Sequence, residues 1–197
     1  MKSHHSERGV SLVEAMVSLV LILLIMSAFG GFMVQSAKIN KSRLMAVETQ
    51  ATARNTLSLV VQTLRTSGWD PMGTGFAPVI TDPDLTDNIS EIEVFADLDE
   101  DGSTNSDGEQ MIIRHVNDEV QWRRTNDVTE SFRILGVNIT NDADGDGAAE
   151  PMFVPDDPVS PTRVIVKITA ESPARSAETG EFIRYTVTSE VIFRKEL

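Results

Sequence analysis

The sequence lacks cysteine and has few basic residues. None of its 197 residues is a cysteine, which excludes disulfides, zinc–thiolate sites, iron–sulfur clusters and a cysteine nucleophile. Thirty acids against 17 bases give a formal net charge of −13. Because nucleic-acid affinity rests on clustered Lys and Arg, nucleic acid is not expected as a partner. The length allows one sizeable core but not two large domains.

Residues that could support catalysis are also scarce. Two of the three histidines, His4 and His5, lie within the first nine residues, which leaves His115 as a general base. His115 falls in a predicted strand, where a structural role is the simpler interpretation. The sequence has no nucleophile elbow, no His-Glu-x-x-His pair and no phosphate-binding Gly-Lys-Ser/Thr loop. We therefore predict a protein that is not an enzyme.

A long uncharged run lies near the amino terminus. Residues 15–37 are 23 consecutive residues without a charge, and as a helix they would extend about 35 Å, enough to cross a bilayer. A secretory signal has a shorter apolar core. Lys2 and Arg8 against Glu7 give the preceding residues a weak positive bias. This bias favours a cytoplasmic amino terminus, with the carboxyl side outside the cytoplasm.

Glu14 places a carboxylate at the start of this uncharged run. A carboxylate costs roughly 2.5–3.5 kcal/mol at mid-bilayer on insertion scales, so it needs a partner. Cleavage after Gly9 would free the amine of Val10 about one helical turn away. The amine and the carboxylate could then be neutralised within one chain or between chains.

The segment Gly9-Val10-Ser11-Leu12-Val13-Glu14, which follows a short charged leader and precedes the apolar run, resembles the processing motif of type IV prepilins and pseudopilins. The resemblance implies that a membrane prepilin peptidase cuts after Gly9 and methylates Val10. It also implies that Glu14 serves subunit docking. Val10 stands where the family usually has Phe, and an ordinary signal anchor with a chance Glu is the alternative.

The apolar run is predicted to continue into an amphipathic helix. Residues 38–66 contain no Pro or Gly, and apolar residues recur there at roughly helical spacing. The stop signals are Gly68 and Pro71. We predict a leader at residues 1–9 and one helix at residues 10–66, membrane-spanning at about 10–37.

Residues 67–197 are predicted to form a β-rich head. Asn117-Asp118-Glu119 suggests a hairpin connection. We expect an antiparallel sheet packed on the second half of the helix, which makes the fold class α+β and pilin-like. The motifs at residues 65–71, 96–102 and 186–194 resemble PilW-type minor pilins. The predicted strands cover residues 89–96, 111–116, 120–124, 132–140, 164–171 and 182–194.

Two segments of the head carry most of the negative charge. Residues 97–109 and 142–157 each hold six acids and no base. Both place Asp at positions 1, 3 and 5 and Gly at position 6, as in the opening of an EF-hand type Ca²⁺ loop. Neither has Glu at position 12, and an acidic turn in water is an equal alternative. The candidate ligands are Asp97, Asp99, Asp101, Asp107 and Glu109 in the first segment, and Asp142, Asp144, Asp146 and Glu150 in the second.

These features lead to three expectations of function. The resemblance implies a structural minor pilin that helps to prime a type IV pilus. Such a chain waits in the inner membrane with its head outside the cytoplasm, and then joins other minor and major pilins in a filament at the cell surface. The first alternative is a J-type pseudopilin of type II secretion. The second is a membrane-tethered, Ca²⁺-dependent surface binding module.

Overall fold

The computed structural model describes residues 11–81, 91–106, 108–124, 130–157 and 161–193. A single helix, α1, covers Leu12–Thr66 and is followed by eight strands. Ser11 caps its amino end by accepting a hydrogen bond from the Glu14 N–H at 3.2 Å. The strands are β1 (Val79–Thr81), β2 (Glu91–Phe95), β3 (Gln110–Val116), β4 (Glu119–Arg124), β5 (Arg133–Val137), β6 (Phe153–Pro155), β7 (Arg163–Glu171) and β8 (Arg184–Ile192).

The helix has an exposed half and a packed half. Side chains up to Lys41 are largely exposed, whereas from Ser42 onwards a buried side chain returns every three or four residues. That spacing keeps the buried side chains on one face of the helix. The buried residues are Ser42, Met45, Thr49, Ala53, Thr56, Val60, Val61 and Leu64. The α+β prediction, a long apolar helix packed on antiparallel strands, is confirmed.

The strands form two antiparallel sheets, whereas the sequence led us to expect one. The first sheet has the order β1-β2-β3-β4-β5 and the second β6-β7-β8. The predicted strand at residues 132–140 ends at Val137 because Asn138 takes a left-handed φ of 57°. The chain then touches the second sheet through one bridge, between Ile139 and Ala170.

The hairpin between β3 and β4 agrees with the sequence. Val116 pairs with Glu119, so that only Asn117 and Asp118 form the turn. Both turn residues have positive φ, 52° and 61°, which a two-residue type I′ turn requires and which Asn and Asp tolerate. The sequence did not predict strands β1 and β6, because three residues are too few to show an alternation of polar and apolar side chains.

The core lies between α1 and the two sheets. Leu64 and Val60 of the helix are fully buried, as are Ile113 of the first sheet and Ile168 of the second. The first sheet approaches the helix closely at Gly136 in β5, where an added Cβ would collide with the Thr56 side chain. The packed half of α1 therefore holds both sheets on one side of the helix. The exposed half extends away from the head, and no other described part of the chain packs on it.

Candidate functional site

The exposed half of α1 is the largest uncovered apolar surface among the described residues. Its Leu, Ile, Val, Met and Phe side chains are more than half exposed from Leu12 to Val34. By length and composition, α1 is the one helix in the described part of the chain that can cross a membrane. An apolar surface of this size marks contact with lipid or with other protein.

Glu14 lies in the first turn of α1, at the start of this surface. Its backbone is held by the local helix, since the Ser18 hydroxyl donates to the Glu14 carbonyl at 2.8 Å. Among residues 11–193, as far as the structure describes them, no base forms an ion pair with the Glu14 carboxylate. The predicted processing residues Gly9 and Val10 lie outside the described residues, so their roles stay predictions.

The first acidic loop gathers three of its predicted ligands. Carboxylate oxygens of Asp97, Asp99 and Glu109 lie within 4.8 Å of one another. Asp97 is fully buried and Glu109 is 2 % exposed. Asp101 is not in this group, and its carboxylate accepts from the Ser103 N–H at 2.7 Å. Asp107 lies outside the described residues.

Backbone N–H groups orient the two buried carboxylates of this loop. Asp97 accepts from the N–H groups of Asp101 and Gly102, at 3.2 and 3.1 Å. Glu109 closes the loop from its far end, with hydrogen bonds of 2.8–3.1 Å from Leu98, Asp99 and Ser106. The loop is thus preorganised around carboxylate oxygens, with Glu109 at position 13 in the place that the EF-hand gives to position 12.

The second acidic loop gathers Asp142, Asp144 and Asp146, again within 4.8 Å. Asp142 is buried and accepts from the Gly145 and Gly147 N–H groups, at 2.6 and 3.1 Å. Burial opposes ionisation of Asp142, but these hydrogen bonds and a nearby guanidinium outweigh it, and the pKa of Asp142 is lowered. Asp144 and Asp146 are exposed. The arrangement is therefore more open to solvent than that of the first loop.

Two bases from distant strands reach the second acidic segment. The Arg184 guanidinium of β8 lies 3.7 Å from Asp142 and 2.6 Å from Glu171. Lys167 of β7 forms an ion pair with Glu150, which takes Glu150 out of the predicted ligand group. Sequence reasoning missed both bases because they come from other strands, and no local signal indicates which loop a strand residue will face.

His115 has a structural partner. Its Nε2 atom is within hydrogen-bonding distance of the Ile139 carbonyl, which belongs to the connection between the two sheets. The imidazole therefore has a structural use at the junction of the sheets. That the protein is not an enzyme remains a prediction.

Comparison with known families identifies the amino-terminal segment. The family model described as prokaryotic N-terminal methylation motif matches residues 4–30. The chain matches no curated protein and no solved structure. The match covers residues 4–9 of the predicted leader, Glu14 and much of the exposed half of α1. The chain therefore carries a prepilin-type N-terminal methylation motif, which implies processing by a prepilin peptidase and is consistent with an assembly role of the kind that type IV pilins and pseudopilins have.

Proposed function

We propose that this protein is a PilW-like minor pilin that takes part in priming a type IV pilus. The observation that carries the proposal is the exposed half of α1, which contains most of the prepilin-type motif and has Glu14 as its one charge between Leu12 and Ala37. In the inner membrane lipid covers this surface, and in a filament the helices of neighbouring subunits replace the lipid. The head stays outside the cytoplasm throughout.

Glu14 supplies a reason for the helix to leave the lipid. A carboxylate in a low-dielectric layer stays charged only beside an opposite charge. The methylated amine of Val10 on a neighbouring subunit offers that charge. Docking of Glu14 against this amine would therefore favour the assembled state over the isolated helix in the bilayer.

A Glu14→Ala variant tests this role in a strain that makes the filament. We expect Glu14→Ala to be lost from sheared filaments and to remain in the inner membrane. Glu48→Ala is the matched control, because Glu48 is an exposed carboxylate on the packed half of the same helix. Incorporation of Glu14→Ala at the wild-type level would contradict the docking role.

Mass spectrometry of the mature chain tests the processing step. The expected mature protein begins with N-methylated Val10. An intact Met1, or a cut on the carboxyl side of the apolar run, would contradict the proposal. A J-type pseudopilin shares this processing, and immunogold labelling of pili against labelling of a secretion pseudopilus separates the two assemblies.

We also propose that the acidic loops bind Ca²⁺. The donors are of the right kind, because Ca²⁺ takes six to eight oxygen ligands. Each loop groups three carboxylates within 4.8 Å. Backbone N–H groups already occupy part of the oxygen surface of Asp97, Glu109 and Asp142. We therefore expect weak binding, with Kd values of about 10⁻⁴–10⁻³ M as in extracellular sites.

Thermal unfolding of the full chain in detergent micelles, in EDTA and in millimolar CaCl₂, tests this proposal. Binding to the folded state alone would stabilise it by about 2.7 kcal/mol at a hundredfold excess over Kd. Asp99→Ala and Asp144→Ala assign the effect to a loop, and Mg²⁺ controls for ionic strength. Equal melting temperatures in EDTA and CaCl₂, with a flat calorimetric titration, would leave both loops as hydrogen-bonded turns.

A further inference from the structure

Strand β8 lies at an open edge of the second sheet. The sheet order β6-β7-β8 leaves one side of β8 without a neighbouring strand. Among the described residues, no backbone hydrogen bond reaches β8 from any element besides β7. A nine-residue edge of this kind is a template for one more strand.

A groove runs between this edge and the packed half of α1. Its cavity has a volume of about 610 Å³ and is bounded by Leu57, Val61 and Gln62 of the helix and by Ser189 of β8. A second cavity of about 630 Å³ adjoins it at Arg65 and continues past the end of α1. The floor is apolar, and its far end carries three exposed apolar side chains, Trp69, Leu98 and Ile192.

Two arginines make the part of the groove beside β8 basic, whereas the one carboxylate in the lining, Asp70, lies at its far end. Arg54 and Arg65 are exposed and line the groove. Neither forms an ion pair with a carboxylate in the part of the chain that the structure describes, and Arg54 donates instead to the Tyr185 hydroxyl at 3.2 Å. In a chain of net charge −13, two such guanidinium groups beside an apolar floor favour an acidic partner.

We infer that the groove binds an extended, acidic segment of a neighbouring pilin subunit, which adds to β8 as a further strand. The inference rests on the proposed function, because it takes its partner from the same assembly. Backbone hydrogen bonds to β8 supply affinity, and the arginines select the charge of the added strand.

The geometry sets the spacing of the acids in the partner. Arg54 and Arg65 are eleven residues apart on α1, which is about 16 Å along the helix axis. An extended chain covers that distance in about five residues. Because side chains on one face of a strand recur at every second residue, we expect two carboxylates four or six residues apart, on the face of the partner strand that is turned towards α1.

Site-specific photo-crosslinking in the full chain tests the inference in cells that assemble the filament. A benzophenone amino acid replaces Ser189 in the groove. The control probe replaces Ala177, an exposed residue of the loop whose Ser176 contacts Ser42, far from the groove. The expected result is an adduct at position 189 with another N-methylated pilin, mapped to an extended segment with the acidic spacing.

Charge-reversal variants then test whether the adduct depends on an arginine of the groove or only on the net charge of α1. Arg65→Glu should lower the yield of the adduct roughly fivefold, the scale of one exposed ion pair. Arg43→Glu, an exposed arginine of α1 outside the groove, should leave the yield unchanged. Replacing the mapped acid of the partner by Lys should restore the adduct with Arg65→Glu.

The outcomes distinguish this inference from the proposed function. If the chain is present in sheared filaments but gives no adduct at position 189, or an adduct that Arg65→Glu leaves unchanged, the groove is not a docking site and the minor-pilin role stands. If the chain is absent from filaments and gives no adduct with any pilin, both proposals fail. An acidic-segment adduct formed with a secretion pseudopilin supports the groove and overturns the pilus assignment.

Discussion

The two halves of α1 differ in what covers them, and the more hydrophobic half is the less buried. The exposed half is built from Leu, Ile, Val, Met and Phe, yet most of these side chains are more than half exposed. The packed half buries Ser42, Thr49, Ala53 and Thr56 along with larger side chains. Hydrophobicity alone therefore does not locate the core. The exposed half needs a cover outside the head, and this is why a membrane and then a filament are the environments that fit it.

Small residues let the packed half approach the sheets closely. Two buried hydroxyl groups of this face have hydrogen-bond partners, since Thr49 donates to the Met45 carbonyl at 2.8 Å and the Ser42 hydroxyl is hydrogen-bonded to that of Ser176 at 3.0 Å. These two groups therefore avoid the penalty of an unpaired buried donor. The result is a helix–sheet contact that leaves little room for larger side chains.

The largest expected effect comes from removing a core side chain of the packed half. Leu64→Ala should lower the free energy of unfolding of the head by about 2–5 kcal/mol, because Leu64 is fully buried between α1 and the strands. Leu23→Ala is the matched control in the exposed half and should not change head stability. Chemical unfolding of the full chain in micelles, followed by tryptophan fluorescence, measures both. A comparable loss in Leu23→Ala would remove the distinction between the two halves.

The next effect in size comes from adding a methyl group at Gly136, where β5 lies close against the helix. In Gly136→Ala the new Cβ would lie 2.8 Å from Thr56 Cγ2 and collide with its hydroxyl. Overpacking of this kind costs about 1–3 kcal/mol. Gly31→Ala, in the exposed half, meets nothing within 4 Å and should leave the head unchanged or stabilise the helix.

A double variant sharpens the Gly136 prediction. Thr56→Ala should recover part of the stability that Gly136→Ala loses, because it removes the group that the new methyl meets. Equal loss in the single and the double variant would place the cost in the backbone of β5 and not in the contact with α1.

The sequence predicted those features of the structure that depend on residues close together in the chain. The apolar run and the helical spacing predicted α1, and the short connector Asn117-Asp118-Glu119 predicted the hairpin, although Glu119 is the first residue of β4. The spacing of Asp97, Asp99 and Asp101 predicted three carboxylates round one point, and the structure groups the first two of them with Glu109. Each of these patterns depends on contacts within a few residues.

The features that depend on tertiary packing could not be predicted in this way. The break between the two sheets rests on one left-handed residue, Asn138, and no sequence pattern separates this residue from an ordinary strand end. The pairing of Lys167 with Glu150 joins residues from different elements. The groove beside β8 depends on which side of the sheet α1 covers, which is a property of the packed fold.

The smallest expected effect concerns the polar contact between α1 and β8. Tyr185 is the single tyrosine of the chain, and its hydroxyl accepts from Arg54 at 3.2 Å and from Gln50 at 2.9 Å. The hydrogen bond from Arg54, and then that from Gln50, lowers the pKa of Tyr185 below its ordinary value of about 10. Tyr185→Phe should lower the melting temperature of the head only slightly, because the contact lies near the surface.

The titration of Tyr185 tests this contact more specifically than the small change in melting temperature does. A lowered folded-state pKa means that ionised Tyr185 stabilises the fold above the unfolded pKa of about 10, and that this stabilisation is lost as the pH falls through the lower folded value. Because the chain has one tyrosine, the ultraviolet absorbance of tyrosinate reports its titration directly. We expect the midpoint to rise in Arg54→Ala and to stay in place in Arg43→Ala, since Arg43 makes no contact with Tyr185 in the described structure. An unchanged midpoint in Arg54→Ala would show that Arg54 does not bond this hydroxyl, and the position of the Arg54 guanidinium beside β8 in the groove would then lose its support.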